Sequence, residues 1–192
     1  HARRTMLALV LLLASASLLA AQTQTIDMAS FTPPSGWATA QEGDHVTLKF
    51  IDQAAGYYVV LVVYKSTASA GDPEKDFASE WRNVVVQSFS EVSAPRSTSN
   101  RTKPGLEFRE GGTNVSKNGT VAYARLMVFP SGKRMFSVMA MASNPGAFER
   151  KQAVVSAFLD SMKITAQPFV AGSGQSSSAN TGTIGAGGAP RS

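Results

Sequence analysis

Residues 57–65 read YYVVLVVYK. It is a continuous run of aromatic, leucine and valine side chains that follows Gly56. A half-buried strand alternates apolar and polar residues, whereas this run is apolar at consecutive positions. The pattern predicts a strand that is covered on both of its faces.

Strand patterns lie on both sides of this run. Residues 46–50, VTLKF, alternate as a half-buried strand does, and residues 52–56 form a turn before the central run. Further along the chain, three more strand-like runs are separated by the turns Asn118-Gly119 and Ser131-Gly132. Short turns of this kind join antiparallel neighbours, so we expect an antiparallel sheet of about six strands. Residues 93–104 are polar and predict a loop.

Two helices are predicted from their first turns. Asp72 is an N-cap candidate with Pro73 at the first helical position, and Asn144 with Pro145 repeats the arrangement. Apolar residues then recur at helical spacing, with Trp81 at the centre of the first apolar face. Each helix can bury only one stripe, so each must lie on the sheet. The fold class is α+β, an α-β-α sandwich, and we expect Trp37 in its core.

The two ends of the chain differ from the middle. Residues 1–21 combine Arg3 and Arg4 with a short apolar run and small residues, which is typical of a secretory signal peptide. The apolar run is shorter than the ~20 residues needed to span a bilayer, so we expect cleavage and no stable membrane span. Residues 25–168 form the predicted domain. Residues 169–192 are rich in Gly, Ser and Ala and predict a disordered tail. The expected location is extracytoplasmic, periplasmic or secreted.

Composition excludes several classes of protein. The chain has no cysteine, so it has no disulfide, no thiolate metal site and no lipoprotein anchor. Its net charge is +5, and losing Arg3 and Arg4 with the signal peptide leaves only a mild positive charge. That is not typical of a nucleic-acid-binding protein.

Catalytic patterns are sparse. His45, beside Asp44 in a turn, could serve a hydrolase together with a serine, but no serine lies in a G-x-S-x-G motif. One histidine without cysteine makes a zinc site hard to assemble. Glu107 and Glu110 flank Arg109, and period two places Glu107 with Arg109 on one face. A solvated charged face explains this run. We expect no enzyme activity, no metal and no cofactor.

A group of basic residues gathers in the second half of the domain. Because such a patch attracts opposite charge, it predicts a surface for an acidic partner, with scattered solvated charge as the alternative. The residues are Arg96, Arg101, Lys103, Arg109, Lys117, Lys133 and Arg134.

The chain resembles the PsbP-like superfamily, which includes photosystem II extrinsic proteins and the bacterial DcrB and LpqN envelope proteins. The motifs that carry the resemblance are FTPPSGW, VTLKF, YYVVLVVYK, DPEKDFASEW, GLEFREGG before an NG hairpin, and AFLDSMKI. The resemblance covers residues 30–165. It implies an antiparallel sheet between helices in a non-enzymatic accessory or binding protein, and no functional residue is carried over.

The main functional hypothesis is a non-catalytic exported binding or accessory protein of the cell envelope, whose partner is an envelope protein or a small ligand. One alternative is an exported hydrolase that uses His45 and a serine. A second alternative is a structural module that its tail joins to further C-terminal sequence.

Overall fold

An eight-stranded antiparallel sheet forms the centre of the fold in the computed structural model, which describes residues 22–89, 92 and 94–165. The strands are β1 Gln24–Ile26, β2 Ala29–Phe31, β3 Ala38–Glu42, β4 His45–Asp52, β5 Tyr57–Tyr64, β6 Thr67–Ala68, β7 Thr98–Arg101, β8 Glu107–Lys117, β9 Thr120–Ser131, β10 Arg134–Ala142 and β11 Lys163–Ile164. The helices are α1 Pro73–Glu80 and α2 Pro145–Asp160, with a π-helical segment, Trp81–Val86, directly after α1.

The sheet is larger than the sequence predicted. Its order is β3-β4-β5-β10-β9-β8-β7, and the short β6 pairs with the start of β10, which makes eight strands and not about six. All pairings are antiparallel. The additional strands are short or fully exposed, so they carry no strong apolar pattern. β3 and β7 are the terminal strands of the order, and every residue of both is exposed.

The central run is buried on both faces, as its composition predicts. Val59, Leu61 and Val63 of β5 lie in one apolar core, and Val60 and Val62 lie in the other. The two cores lie on opposite sides of the sheet because successive side chains of a strand alternate between its faces. The molecule therefore has three layers with a core on each side of the middle one.

The first core lies under α2. Asn144 caps this helix by accepting a hydrogen bond of 2.9 Å from the backbone N–H of Ala147, as predicted. Its buried side chains include Phe148 and Phe158, and the ring of Phe158 packs edge-on against Phe31 of β2. Trp37 belongs to the same core.

The second core lies under α1 and the π-helical segment. Asp72 accepts hydrogen bonds from the backbone N–H groups of Glu74 and Lys75, which confirms it as the N-cap. Phe77 and Trp81 are almost completely buried. The α-helix itself ends at Glu80, earlier than the apolar spacing predicted, because the chain widens into a π-helical turn.

Three local predictions need correction. The lead-in before Trp37 contains β1 and β2, which form a small separate sheet with β11. The polar segment predicted as a loop contains β7, which pairs with β8. The second hairpin turn is centred on Gly132-Lys133, one residue later than predicted, because Ser131 pairs with Arg134.

The predicted signal peptide, residues 1–21, and the predicted tail, residues 169–192, lie outside the described residues. Within the described part of the chain, none of the helices has the length and apolar character needed to cross a membrane.

Candidate functional site

A groove between α1, β7 and β8 gathers three of the predicted basic residues. Ser99 and Arg109 line two adjoining concavities of about 460 Å³ and about 590 Å³. Arg101 lines the first and Arg96 lines the second. We call this surface the basic groove, defined by Arg96, Ser99, Arg101 and Arg109.

Arg109 is the most firmly held side chain of the basic groove. Its Nε donates to Ser97 Oγ at 3.0 Å, and its Nη1 donates to Ser99 Oγ at 3.2 Å. Its Nη2 lies 2.8 Å from Oε1 of Glu74, a first-turn residue of α1. The Arg109 side chain is 18% exposed and its guanidinium is held by these hydrogen bonds, so it presents a fixed edge to the groove.

The electrostatics of the groove are balanced in part by its own carboxylates. Arg101 pairs with Glu107 across the β7–β8 ladder, and both side chains are exposed. Asp72, at the start of α1, has a lowered pKa because the N–H groups of Lys75 and Glu74 donate to it, and the charge of Arg109 adds to the effect. Arg96 is exposed and makes no ion pair within the described residues.

The groove exists because of the register of β8. Arg109 and Glu107 point to the α1 side, whereas Glu110 points to the α2 side, as the period of two predicts. Gly111 then leaves room for α1, since a Cβ there would lie only 2.9 Å from Cζ of Phe77. Because position 111 has no side chain, α1 can pack close to β8, the strand that carries Arg109.

The other predicted basic residues lie elsewhere. Lys103, in the β7–β8 connection, lies 3.7 Å from a carboxylate oxygen of Asp160 at the end of α2. Nη2 of Arg134 lies 3.2 Å from Oδ2 of Asp27. Lys117 ends β8 at the opposite end of the strand from Glu107, and Lys133 is exposed in the β9–β10 turn.

His45 starts β4 and is partly exposed. Its Nδ1 lies 2.8 Å from Oδ1 of Asp44, its Nε2 lies 3.7 Å from Glu42, and its ring lies 5.7 Å from that of Tyr64. Within the described residues, no serine hydroxyl hydrogen-bonds to this ring. The geometry thus places the imidazole between carboxylates rather than beside a nucleophile.

Glu107 and Glu110 do not form a carboxylate pair, because they lie on opposite faces of the sheet. Glu110 is buried, and Arg125 binds both of its oxygens, at 2.9 Å and 2.7 Å. Asn100 donates to it as well. No group of three or more acidic or histidine side chains suited to a metal ion occurs in the part of the chain that the structure describes.

Sequence reasoning missed a cluster of carboxylates that holds the connection between β5 and α1. Asp27 accepts from the N–H and the hydroxyl of Ser66. Asp76 accepts from the Ser69 hydroxyl at 2.6 Å and from the backbone N–H of Ala70 at 2.7 Å. Such contacts leave no local pattern, because they join residues from separate elements.

Glu80 completes this cluster and is 2% exposed. It accepts from the hydroxyls of Thr67 at 3.1 Å and Ser137 at 2.7 Å. Burial disfavours the phenolate of Tyr64 and raises the pKa of that group to about 12. The negative charges of Asp44 and Glu80 raise this pKa further.

Sequence reasoning also missed an apolar pocket of about 460 Å³ at the other end of the same sheet face. Ile51, Tyr58, Val60 and Met141 line it, together with Lys49. The exposed Ile51 was the available signal, since it follows the VTLKF alternation on the same side as Lys49.

Comparisons with known proteins give no match to a family model and no match to a curated protein. Solved structures do match. They include a protein of unknown function from Pseudomonas aeruginosa, at 11% identity and a TM-score of 0.49, covering 77% of this chain and 97% of that one.

Two further matches are LpqN and a cyanobacterial PsbP. LpqN of Mycobacterium tuberculosis, described as involved in cell envelope biogenesis, has 12% identity and a TM-score of 0.46, covering 78% of this chain and 87% of its own. The PsbP of Synechocystis has 14% identity and a TM-score of 0.47, covering 78% of this chain and 96% of its own.

Proposed function

We propose that this chain is a non-catalytic exported protein that binds an acidic partner of the cell envelope through the basic groove. The observation that carries the proposal is the fixed guanidinium of Arg109, which lies between two adjoining concavities with Arg96 and Arg101 at their margins. The export of the chain rests on its N-terminal sequence, which is typical of a signal peptide.

The groove suits a binding role because its charges are oriented in advance. A guanidinium held by two serine hydroxyls and a carboxylate loses little side-chain freedom when a partner docks. Arg101 is exposed beside Glu107, so an incoming carboxylate can replace that surface ion pair at small cost. Arg96 adds a guanidinium that makes no ion pair within the described residues.

The experiment compares capture of envelope proteins by three forms of the purified chain. The double variant Arg96→Glu/Arg101→Glu reverses two groove charges and leaves Arg109 in place. The control is Lys117→Glu, which reverses an exposed charge at the far end of β8. An acidic protein that the wild type and the control capture, and that the double variant does not, is the expected result.

Salt gives a second criterion. Capture through exposed charges should weaken between about 0.05 M and about 0.3 M NaCl, because the screening length shortens over that range. Capture that all three proteins share equally, or that salt does not affect, would contradict the proposal.

A further inference from the structure

Among the described residues, the layer formed by α1 leaves one end of its sheet face uncovered. Phe77 of α1 covers the β8 side, where its ring lies over Gly111. Toward the β4–β5 turn, the same face carries the apolar pocket of about 460 Å³. We call it the Tyr58 pocket and define it by Ile51, Tyr58, Val60 and Met141.

The register of the sheet places these side chains together. Ile51 lies directly opposite Tyr58, and Val60 lies directly opposite Met141. Directly opposed residues of antiparallel strands point to the same face. Ile51 is 52% exposed, which is high for a large apolar side chain.

The walls of the pocket favour a planar ring. Tyr58 brings an aromatic ring to the lining and Met141 brings a thioether, which makes favourable contacts with aromatic rings. The volume lies within the roughly 300–1,000 Å³ that small-molecule sites occupy. An aliphatic occupant would gain from the apolar area but not from these ring contacts.

The charge at the pocket favours an anion. Lys49 lies directly opposite Val60, on the same face, and no carboxylate of the described residues pairs with it. Asp52 also borders the pocket, but it falls on the alternate side of β4, and its Oδ1 accepts the N–H of Ala55 at 2.9 Å. Lys49 is therefore the cation on this face of the sheet, and the Asp52 carboxylate, which keeps its charge while it accepts the Ala55 N–H, borders the pocket from the alternate side of β4.

We propose that the Tyr58 pocket binds a planar aromatic anion, with its ring against Tyr58 and Met141 and its carboxylate or sulfonate at Lys49. This site is separate from the basic groove and does not depend on the function proposed for that groove.

The test uses two fluorescent probes of similar ring size, the anionic 1-anilinonaphthalene-8-sulfonate and the neutral N-phenyl-1-naphthylamine. We expect saturable binding of the anion at one site. Lys49→Glu should lower the affinity for the anionic probe by about tenfold or more and leave the affinity for the neutral probe nearly unchanged. Ile51→Asp should lower the affinity for both probes. The control Lys75→Glu, which reverses an exposed lysine of α1, should change neither.

Thermal unfolding of each variant accompanies the titrations, because the anionic probe also binds partly unfolded protein. Ile51 and Lys49 are exposed, so both variants are expected to keep the wild-type midpoint. No saturable binding, or binding that Lys49→Glu leaves intact, would overturn the proposal. Arg96→Glu/Arg101→Glu should bind both probes as the wild type does, so the outcome is independent of the groove.

Discussion

The Oγ atom of Ser137 donates a hydrogen bond of 2.7 Å to Oε2 of Glu80, and both residues are almost completely buried. Removing this donor leaves a buried carboxylate oxygen without its partner. We expect Ser137→Ala to lower the free energy of unfolding by about 1–3 kcal/mol, measured by urea denaturation.

Ser143 provides the matched control for that measurement. Its Oγ is buried without a hydrogen-bond partner in the described residues, so Ser143→Ala removes no bond. The substitution should be neutral or slightly stabilising. Equal losses in the two variants would contradict the role given to the Ser137–Glu80 bond.

Trp81 anchors the second core, as the sequence predicted. It is 1% exposed, and its Nε1 donates to the carbonyl of Val92 at 3.2 Å. Trp81→Ala should cost about 3–5 kcal/mol of unfolding free energy. In a Trp37→Phe background, where Trp81 is the remaining tryptophan, emission should be that of a buried indole. Water-like emission from the folded protein would refute this packing.

The acid stability of the protein should depend on Asp27. Burial acts to raise the pKa of Asp27, but hydrogen bonds from Ser66 and the charge of Arg134 outweigh it and hold that pKa below 3.8. A carboxyl group whose pKa is lower in the folded state stabilises the fold above its unfolded pKa. That stabilisation is lost as the pH falls through the folded value.

Asp27→Asn tests this dependence. Asparagine tolerates the left-handed backbone at this position, where φ is 50°. We expect the variant to be less stable than the wild type near neutral pH, and the difference to shrink below pH 3.8, the ordinary value for aspartate. Parallel curves of unfolding free energy against pH for the two proteins would show that Asp27 does not contribute.

Two glycine substitutions should have opposite effects. A Cβ at Gly111 would lie 2.9 Å from Cζ of Phe77 and 3.0 Å from Cγ of Pro95, so Gly111→Ala should destabilise the contact of α1 with β8. A Cβ at Gly146, in α2, would come no closer than 3.4 Å to Asn144 Oδ1. Gly146→Ala should raise the unfolding free energy by up to about 1 kcal/mol, because alanine favours a helix. Thermal midpoints that shift in the same direction would refute the argument.

The parts of the fold that could be predicted depend on residues adjacent in the sequence. Asp72 and Asn144 cap their helices within three residues, and Asn118 with Gly119 forms a turn in which both have positive φ. The central strand was predictable because every position of it is apolar. In contrast, β7 reads TSNR, and only the edge of β8 makes it a strand.

The candidate sites depend on contacts that sequence alone does not reveal. Arg109 and Glu74 are 35 residues apart, and Asp27 and Ser66 are 39 residues apart. The basic residues could be identified from the sequence. The sequence does not show which of them lie together in one groove. The Tyr58 pocket requires the pairing of β4, β5 and β10, and that register is a property of the folded sheet.

The two terminal strands affect how this molecule meets copies of itself. An outer strand offers unpaired amide and carbonyl groups, which can recruit a strand from another molecule and start a growing ribbon. Here β3 reads ATAQE and β7 reads TSNR, and neither carries a large apolar side chain. A recruited strand would form hydrogen bonds but would remove little apolar surface from water. The addition of a strand at either margin would therefore gain little free energy. In the part of the chain that the structure describes, both strands are exposed, so we expect their composition to limit aggregation.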